Sequence, residues 1–366
     1  MKALILAGGF GTRLRPLSCT RPKLMFPVLN RELLDWTLER LSKSGVDRVI
    51  LAVNHMADAL ERSFRYSRYG IEIVYSRESR PLGTGGPIKN AEGFLIEGGE
   101  PFFVLNGDVF SDVDYGKIYS FHEGSGAKAT IALYEVEDPG RFGVVELGEK
   151  GRIKRFVEKP KPGEAPSRLV NAGVYVLDPS VLDIIPHGRK VSTERKVFPA
   201  LAREGSLCGY RFDGIWVDIG LPEDYFLANR MMLRHLAADE PLVGKNVKVH
   251  ETAKVVAPSA VGEGSTVDED AEVGPYAVVG RGVEVGKGCR IDGSIIFQGA
   301  IVESFASIRG AIVGEDSIVG RWAKIEEGCI VGDHALIGDN VTLTKNVEIC
   351  PFREVRSSIL EPGKVM

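Results

Sequence analysis

A glycine-rich turn near the start of the chain is the first feature with residues suited to chemistry. Residues 1–14 read MKALILAGGFGTRL, which is an apolar run, then glycines, then Arg13. A buried strand that ends in such a turn exposes several backbone N–H groups at one point, and glycine lets that backbone approach a phosphate because it has no Cβ. Arg13 adds a fixed charge with forked donors for phosphate oxygens. The pattern predicts a site for the phosphates of a nucleoside triphosphate.

Two common phosphate-binding patterns do not match this turn. The Walker pattern requires Lys and then Ser or Thr after its last glycine, whereas Gly11 is followed by Thr12 and Arg13. The dinucleotide pattern requires a third glycine, and Leu14 stands there. Many glycine turns are purely structural. Arg13, and Lys23 ten residues further on, favour phosphate binding over a purely structural turn.

A carboxylate follows a second apolar run. Phe102–Leu105 is a strand candidate, and Asn106 and Gly107 lead from it to Asp108. Asn-Gly-Asp is also ordinary turn chemistry, so a structural role is the competing interpretation. Ligands of parallel sheets bind at the carboxyl ends of the strands, which places the glycine loop and this loop on the same edge.

The elements that position these residues follow from the apolar pattern before about residue 240. Leu34, Leu38 and Leu41 form one helical stripe, and Gly45 stands where a C-terminal cap belongs. Strand candidates alternate with helix-like segments, as at Val49–Val53, Ile71–Tyr75, Phe102–Leu105 and Thr130–Tyr134. This alternation predicts an α/β domain with a Rossmann-like, mostly parallel sheet and helices on both faces.

A period of six residues replaces this pattern after residue 242. Aliphatic or aromatic residues recur at every sixth position from Val243 to Phe297, and a second series runs from Val313 to Ile349. This is the hexapeptide repeat of a left-handed parallel β-helix, in which each coil adds to one continuous core. The interval from Phe297 to Val313 is not a multiple of six, so we expect an irregular turn or loop there. We predict a catalytic domain at 1–236 and a β-helix domain at 237–366, with repeats over 242–349.

Composition narrows the class of protein. Net charge is −4, which gives no electrostatic case for nucleic acid. Neither an apolar run long enough for a membrane span nor a signal-peptide pattern is present in the sequence. The cysteines are scattered and odd in number, which predicts reduced thiols and a cytoplasmic location. They are Cys19, Cys208, Cys289, Cys329 and Cys350.

The chain resembles the sugar-phosphate nucleotidyltransferase family over nearly its whole length. The motifs that carry the resemblance are the N-terminal MKALILAGGFGTRLRPL, RPK at 21–23, PLGTGGP at 81–87, PFFVLNGDV at 101–109, RFGVV at 141–145, GRIKRFVEKP at 151–160, NAGVYV at 171–176, STERKVFPALA at 192–202, GIWVDIG at 214–220, the hexapeptide repeats and the terminal EPGKVM. Each motif is weak alone, and the set together is specific.

The resemblance implies nucleotidyl transfer without a covalent enzyme intermediate. It assigns catalysis to Arg13, Lys23 and Asp108, and it implies Mg2+ as cofactor on Asp108 and Asp218. An aspartate between Val217 and Ile219 in a strand-like run is hard to explain without a ligand. The nucleotide is expected on Leu6, Ala7, Gly8, Gly9, Gly11, Thr12, Arg13, Lys23, Pro81, Gly83, Thr84 and Gly85. The sugar phosphate is expected on Asn106, Gly107, Gly143, Glu158, Lys159, Asn171 and Trp216.

The resemblance implies GTP and mannose 1-phosphate as substrates, and three other hypotheses stay open. Glucose 1-phosphate with UTP, dTTP or ATP is the first. An added acetyltransferase activity of the β-helix is the second, with His250 and His334 as its candidate bases. A catalytically silent subunit that senses nucleotide sugars is the third, although such a subunit would not need all of the charged residues above. The flat sides of a β-helix suit subunit contacts, so we expect a homo-oligomer.

Overall fold

The computed structural model describes residues 1–65 and 67–365, so the last residue of the terminal motif at 361–366 lies outside the described residues. Contacts divide the chain into two units. The first unit comprises Met1–Phe10, Pro22–Met25 and Leu33–Ile219. The second unit comprises Gly11–Arg21, Phe26–Glu32 and the chain from Gly220 onward. Two short N-terminal segments, one of them carrying Arg13, therefore belong with the C-terminal part of the chain.

The elements before residue 240 alternate between strands and helices. The strands are β1 Lys2–Leu6, β2 Pro27–Val28, β3 Arg31–Glu32, β4 Arg48–Val53, β5 Ser67–Arg68, β6 Ile71–Arg77, β7 Phe102–Asn106, β8 Val109–Ser111, β9 Ala129–Glu135, β10 Gly143–Leu147, β11 Ile153–Glu158, β12 Leu169–Leu177, β13 Leu207–Arg211 and β14 Trp216–Asp218. The α-helices are α1 Leu33–Lys43, α2 Ala57–Ser63, α3 Gly85–Asn90, α4 Glu92–Leu95, α5 Tyr115–Ser125, α6 Phe198–Arg203 and α7 Pro222–Leu236. Tighter 3-10 turns occupy Thr12–Leu14, Leu17–Cys19, Lys23–Met25, Glu149–Gly151 and Pro179–Ile184, and a π-helical turn occupies Thr193–Val197.

The main sheet of the first unit has the predicted parallel centre. Its strand order is β11-β10-β12-β7-β1-β4-β6-β5, and β9 joins β12 to β13. Strands β7, β1, β4 and β6 are parallel neighbours. Antiparallel pairs flank this centre on the β12 side. The predicted strands and the leucine stripe, which is buried in α1, are confirmed.

Side chains of successive strand residues pack on opposite faces of the sheet because the strand period is two. Ala3 and Ile5 of β1 lie in one core cluster, together with the leucines of α1. Leu4 lies in the cluster on the other face with Ile88 of α3. Leu6 pairs with Asn106 in parallel register, so the loops after β1 and β7 leave the sheet at the same edge, as predicted.

The second unit contains a parallel β-helix. Its strands are β15 Leu242–Val243, β16 Lys248–Val249, β17 Lys254–Val255, β18 Ala260–Val261, β19 Thr266–Val267, β20 Glu272–Val273, β21 Val278–Val279, β22 Glu284–Val285, β23 Arg290–Asp292, β24 Ile295–Ile296, β25 Ile301–Val302, β26 Ser307–Arg309, β27 Ile312–Val313, β28 Ile318–Val319, β29 Lys324–Ile325, β30 Ile330–Val331, β31 Leu336–Ile337, β32 Thr342–Leu343, β33 Val347–Ile349, β34 Glu354–Val355 and β35 Gly363–Val365. Every third strand joins the same sheet, so three flat parallel sheets surround one aliphatic core.

The irregularity expected between Phe297 and Val313 is a shortened turn and not a loop. Regular strands continue through this interval, and Val279 pairs with Ile296, which pairs in turn with Val313. Each of these two coils is 17 residues long, because one residue is missing from the corner before β24 and one from the corner before β27. Ile296 therefore takes the inner position that a strict period of six gives to Phe297. The side chain of Phe297 is buried instead against Tyr225 and Arg21 of the same unit.

Among the described residues, no helix combines the length and the apolar character that crossing a membrane requires.

Candidate active site

The first half of the glycine loop belongs to the first unit and leaves β1 with an open backbone. Ala7 donates its N–H to the carbonyl of Ala52, which continues the sheet by one residue. A Cβ on Gly8 would lie 3.2 Å from Oε2 of Glu78, so a side chain would crowd that carboxylate. Around Gly9 the space is open, and Phe10 is 47% exposed. This stretch therefore presents backbone to solvent at the strand end.

The second half of the loop belongs to the second unit. Gly11 has a φ of +61°, and the turn Thr12–Leu14 follows it. The hydroxyl of Ser18 donates to the Gly11 carbonyl at 2.7 Å, which closes the loop on itself. Arg13 is exposed, and a Cβ on Gly220 would come within 3.2 Å of its Nη2 atom. Glycine at 220 thus leaves room for the guanidinium beside the backbone.

Lys23 and Asp108 form an ion pair in the first unit. The Nζ of Lys23 lies 3.1 Å from Oδ2 of Asp108, with side-chain exposures of 12% and 34%. Gly107 donates its N–H to the carbonyl of Leu6, and a Cβ at 107 would lie 2.5 Å from that oxygen. The turn after β7 therefore packs tightly on the end of β1, and this contact holds Asp108 at the predicted edge.

Asp218 is brought beside Asp108 by a two-stranded ladder. Strand β14 runs antiparallel to β8, so that Asp218 is the partner of Val109. Ile219 also donates its N–H to the carbonyl of Asp108 at 2.8 Å. In the described part of the chain, no group of three or more histidine, cysteine or acidic residues is arranged to hold a metal. The ladder makes the backbones of the two aspartates neighbours, and two carboxylates are a ligand set that suits Mg2+, which takes its remaining ligands from phosphates and water.

The segment Pro81–Gly85 packs on the strand-like stretch around Val191. Gly83 has a φ of +80°, and a Cβ there would lie 2.4 Å from the Val191 carbonyl oxygen, so only glycine fits. The hydroxyl of Thr84 donates to Oε2 of Glu194 at 2.7 Å and accepts from the N–H of Thr193 at 3.0 Å. The Thr84 side chain is thus already bonded within the protein, which leaves backbone groups of this segment for a ligand.

Gly143 and Glu158 are paired across β10 and β11. A Cβ on Gly143 would lie 2.5 Å from the Phe156 ring and 2.9 Å from Oε2 of Glu158, so glycine is required there. Burial, and next the negative charge of Glu194, raise the pKa of Glu158. The carboxyl group is therefore held in a partly desolvated position beside the closely packed backbone of Gly143.

Asn171 and Asn106 lie around a bend in β12. Asn171 donates from Nδ2 to the Tyr175 hydroxyl at 3.0 Å and accepts at Oδ1 from the N–H of Gly173 at 2.9 Å. A Cβ on Gly173 would lie 2.9 Å from Nδ2 of Asn106. The Oδ1 atom of Asn106 is buried without a hydrogen-bond partner, although buried polar atoms are normally paired. It is therefore an unused acceptor among the residues expected to hold the sugar phosphate.

Trp216 and Lys159 differ in their surroundings. The indole N–H of Trp216 donates to the carbonyl of Ala172 at 2.9 Å, and the ring lies among Tyr134 and Phe142. That N–H is not available to a sugar hydroxyl, so a contact of Trp216 with sugar phosphate stays a prediction. Lys159 is exposed just after β11, on a left-handed backbone turn with a φ of +48°.

Comparison with known proteins identifies the family of the chain. The family model described as nucleotidyl transferase matches residues 2–235, and the model described as GMPPB C-terminal domain matches residues 239–365. The chain belongs to the nucleotidyl transferase family. It is 42% identical over 266 residues to the mannose-1-phosphate guanylyltransferase catalytic subunit beta of Xenopus tropicalis. The matched region covers 70% of this chain and 73% of that protein.

Two further relatives extend the comparison for this nucleotidyl transferase. A probable mannose-1-phosphate guanylyltransferase 2 of Oryza sativa subsp. japonica is 40% identical over 274 residues, covering 72% of this chain and 75% of the relative. The crystal structure of HddC from Yersinia pseudotuberculosis complexed with GMP-PN is 32% identical, with a TM-score of 0.53 over 63% of this chain and 99% of that chain.

Glu78 is a candidate binding residue of this nucleotidyl transferase that sequence reasoning missed. Its carboxylate lies against Gly8, and the backbone N–H of Leu82 bonds to it, so it stands between the two segments expected to hold the base. Its Oε1 atom is buried without a partner, and burial raises its pKa. The only signal in the sequence was an acidic residue just before the PLGTGG motif, which is typical of an ordinary loop charge.

Proposed function

We propose that this nucleotidyl transferase forms GDP-mannose and pyrophosphate from GTP and α-D-mannose 1-phosphate. The observation that carries the proposal is the group of Lys23, Asp108 and Asp218 at the sheet edge where the glycine loop leaves β1. The names of the relatives support the choice of substrates, because each of the two curated relatives above is called a mannose-1-phosphate guanylyltransferase.

In the proposed reaction an oxygen of the sugar 1-phosphate attacks the α-phosphorus, and pyrophosphate leaves in line. Catalysis then consists of positioning the reactants and neutralising charge, without a nucleophile from the protein. Lys23 and Arg13 hold the triphosphate and offset its developing charge. Asp108 and Asp218 would hold Mg2+, and the metal when bound would neutralise phosphate oxygens and orient them. Glu158 and Asn171 are proposed to accept and donate hydrogen bonds to sugar hydroxyls.

Glu78 supports guanine as the base. The Watson–Crick edge of guanine offers N1–H and N2–H donors, and an ionised carboxylate offers only acceptors. Uracil offers a single N3–H beside carbonyl oxygens, which a carboxylate repels. A half-buried carboxylate with one unpartnered oxygen therefore suits guanine better than uracil.

The proposed function is tested by measuring pyrophosphate release with each triphosphate and each sugar 1-phosphate. We expect the highest kcat/KM with GTP and mannose 1-phosphate. Faster turnover with UTP and glucose 1-phosphate would contradict the substrate assignment.

Glu78→Gln is expected to lower kcat/KM for GTP by about 10- to 100-fold and to narrow the preference for GTP over UTP, because one guanine donor loses its charged acceptor. The exposed Glu137→Gln is the matched control and should match the unaltered enzyme.

We propose further that the enzyme acts in the cytoplasm as a homo-oligomer. The five cysteines of the sequence are all free thiols, which supports a reducing compartment. The flat sheets of the β-helix support contacts between copies.

A further inference from the structure

The loop that carries Arg13 is tied to the β-helix by one arginine. Arg21 lies at the end of the segment Gly11–Arg21, and its Nη2 lies 2.6 Å from Oδ2 of Asp333 and 2.5 Å from Oε2 of Glu315. The Arg21 guanidinium also lies over the ring of Phe297, 5.0 Å from the ring centroid. The residue is thus held from both sides by parts of the same unit.

Asp333 is the centre of this contact. Its side chain is 2% exposed. Its Oδ2 also accepts from the hydroxyl of Thr20, and its Oδ1 accepts from the N–H of Glu315 at 2.8 Å. A carboxylate so buried must be paired, and Arg21 and Thr20 supply that pairing from the loop. The β-helix therefore contributes a preformed acceptor for two consecutive residues of the N-terminal segment.

Arg21 itself is not a phosphate ligand in this arrangement. Its guanidinium already meets two carboxylates, and these cancel its charge toward an anion. Along the chain, however, Arg21 stands between Arg13 and Lys23, the two cations assigned to the triphosphate. The loop before it is compact, because Leu14 and Leu17 are fully buried and Ser18 bonds back to Gly11. Fixing Arg21 therefore fixes the path of the backbone that carries Arg13.

We propose that Arg21 and Asp333 are positioning residues for the triphosphate, so that the β-helix sets how well the catalytic loop binds nucleotide. This proposal rests on the proposed function for the identity of the substrates. The one-residue slip in the hexapeptide period contributes to the anchoring of Arg21, because it turns the Phe297 ring out of the core and under the Arg21 guanidinium.

The chain offers a matched control in the next hexapeptide of the β-helix. Asp333 and Asp339 each follow a glycine, and each accepts the N–H of a residue one coil earlier, Glu315 and Arg321 respectively, at 2.8 Å. Among the bonds described for Asp339, none involves the N-terminal segment. Asp339→Asn therefore repeats the chemical change of Asp333→Asn without touching the loop.

The experiment measures steady-state kinetics of the full-length enzyme with Asp333→Asn, Arg21→Lys, Thr20→Val and Asp339→Asn. For Asp333→Asn and Arg21→Lys we expect KM for GTP to rise, so that kcat/KM for GTP falls about tenfold or more, while KM for mannose 1-phosphate stays within about twofold. Thr20→Val should show a smaller change in the same direction, and Asp339→Asn none. A general loss of folded enzyme would lower kcat alone and leave KM for GTP unchanged.

The outcomes separate this proposal from the proposed function. If Asp333→Asn does not fold, Arg21→Lys and Thr20→Val decide, since both leave the carboxylate paired with a cation. KM for GTP within twofold of the unaltered enzyme in the folded variants would overturn the positioning role. If the unaltered enzyme prefers another triphosphate, the substrate assignment fails, and the same variants are compared with that triphosphate. If the enzyme does not turn over, calorimetric binding of GTP to each variant decides whether Arg21 and Asp333 position the loop.

Discussion

At the residue scale, the ion pair between Lys23 and Asp108 joins the two kinds of charge that the reaction needs. In the proposed reaction Lys23 supplies a cation for phosphate oxygens, and Asp108 holds a carboxylate oxygen 3.1 Å from that cation. Loss of the charge on Asp108 should therefore remove metal binding and release Lys23 together.

We expect Asp108→Asn to lower kcat by about 100-fold or more, because an amide is a poor ligand for a hard cation and cannot hold the lysine. Pyrophosphate release at saturating substrates measures this. The exposed Asp183→Asn is the control for removal of one carboxylate. If Asp108→Asn released pyrophosphate as fast as the unaltered enzyme, the metal assignment would be wrong.

Glu158, which is proposed to bind the sugar, should make the stability of the folded chain depend on pH. Its pKa is raised in the folded chain, so the folded state favours the neutral carboxyl group. The stability that this group contributes is fully present below its unfolded pKa of about 4.3 and is lost as the pH rises through the folded value. In the variant Glu158→Gln the side chain at this position cannot ionise. The melting temperature of the variant should therefore exceed that of the unaltered chain, by an amount that grows from about pH 4.5 to pH 8. The exposed Glu164→Gln should show no such trend.

Thermal melts without ligand at several pH values make the measurement for Glu158. A difference in melting temperature that shrinks toward high pH would contradict the raised pKa. The same variant should raise KM for mannose 1-phosphate if Glu158 contacts the sugar.

At the element scale, apolar periodicity predicted most of the fold. The strands β4, β6, β7 and β9 and the helix α1 follow from local pattern, and the loops after β1 and β7 share an edge because parallel strands end together. The slip at Phe297 was not predictable from the period alone. A phenylalanine at position 297 fits the repeat whether it faces the β-helix core or is buried outside it. Only the packing of its ring on Tyr225 and Arg21 shows that it lies outside the core.

The site was predictable where a motif carries its own chemistry and not where distant segments meet. Asp108 and Lys23 could be proposed from the sequence as charges beside a strand end or a glycine turn, and the structure pairs them. Glu78 was missed because its neighbours, Gly8 and Leu82, come from two separate loops. The link from Arg21 to Asp333 joins opposite ends of the chain, so no local pattern indicates it.

The cysteines provide a test of how tightly these elements pack. Cys208, Cys289 and Cys329 are fully buried in strand β13 and in the β-helix, and burial raises the pKa of Cys289 to about 11. Because the thiolate is the reactive form, these thiols should react with Ellman's reagent only on unfolding. Cys19 is exposed and Cys350 half-buried, so two fast equivalents are expected, and Cys19→Ser should remove one. Rapid reaction of more than two thiols would contradict the described packing.

At the scale of the whole molecule, we expect copies of the chain to associate. Light scattering after size-exclusion chromatography at micromolar concentration should give a mass above that of one chain. A mass of one chain at that concentration would refute the homo-oligomer. The catalytic variant Asp108→Asn should elute like the unaltered enzyme, because its change lies in the first unit and away from the β-helix sequence.

The assignment of Gly11–Arg21 to the second unit also bears on how the chain can be recombined. A graft of residues 1–219 onto the β-helix of another protein would separate Arg21 from Asp333 and Glu315. Such a chimaera would keep every residue of the glycine loop, but the segment that carries Arg13 would lose its anchor on the β-helix. A working exchange therefore has to carry the acidic pair together with the N-terminal segment, although the two parts of the chain match different family models.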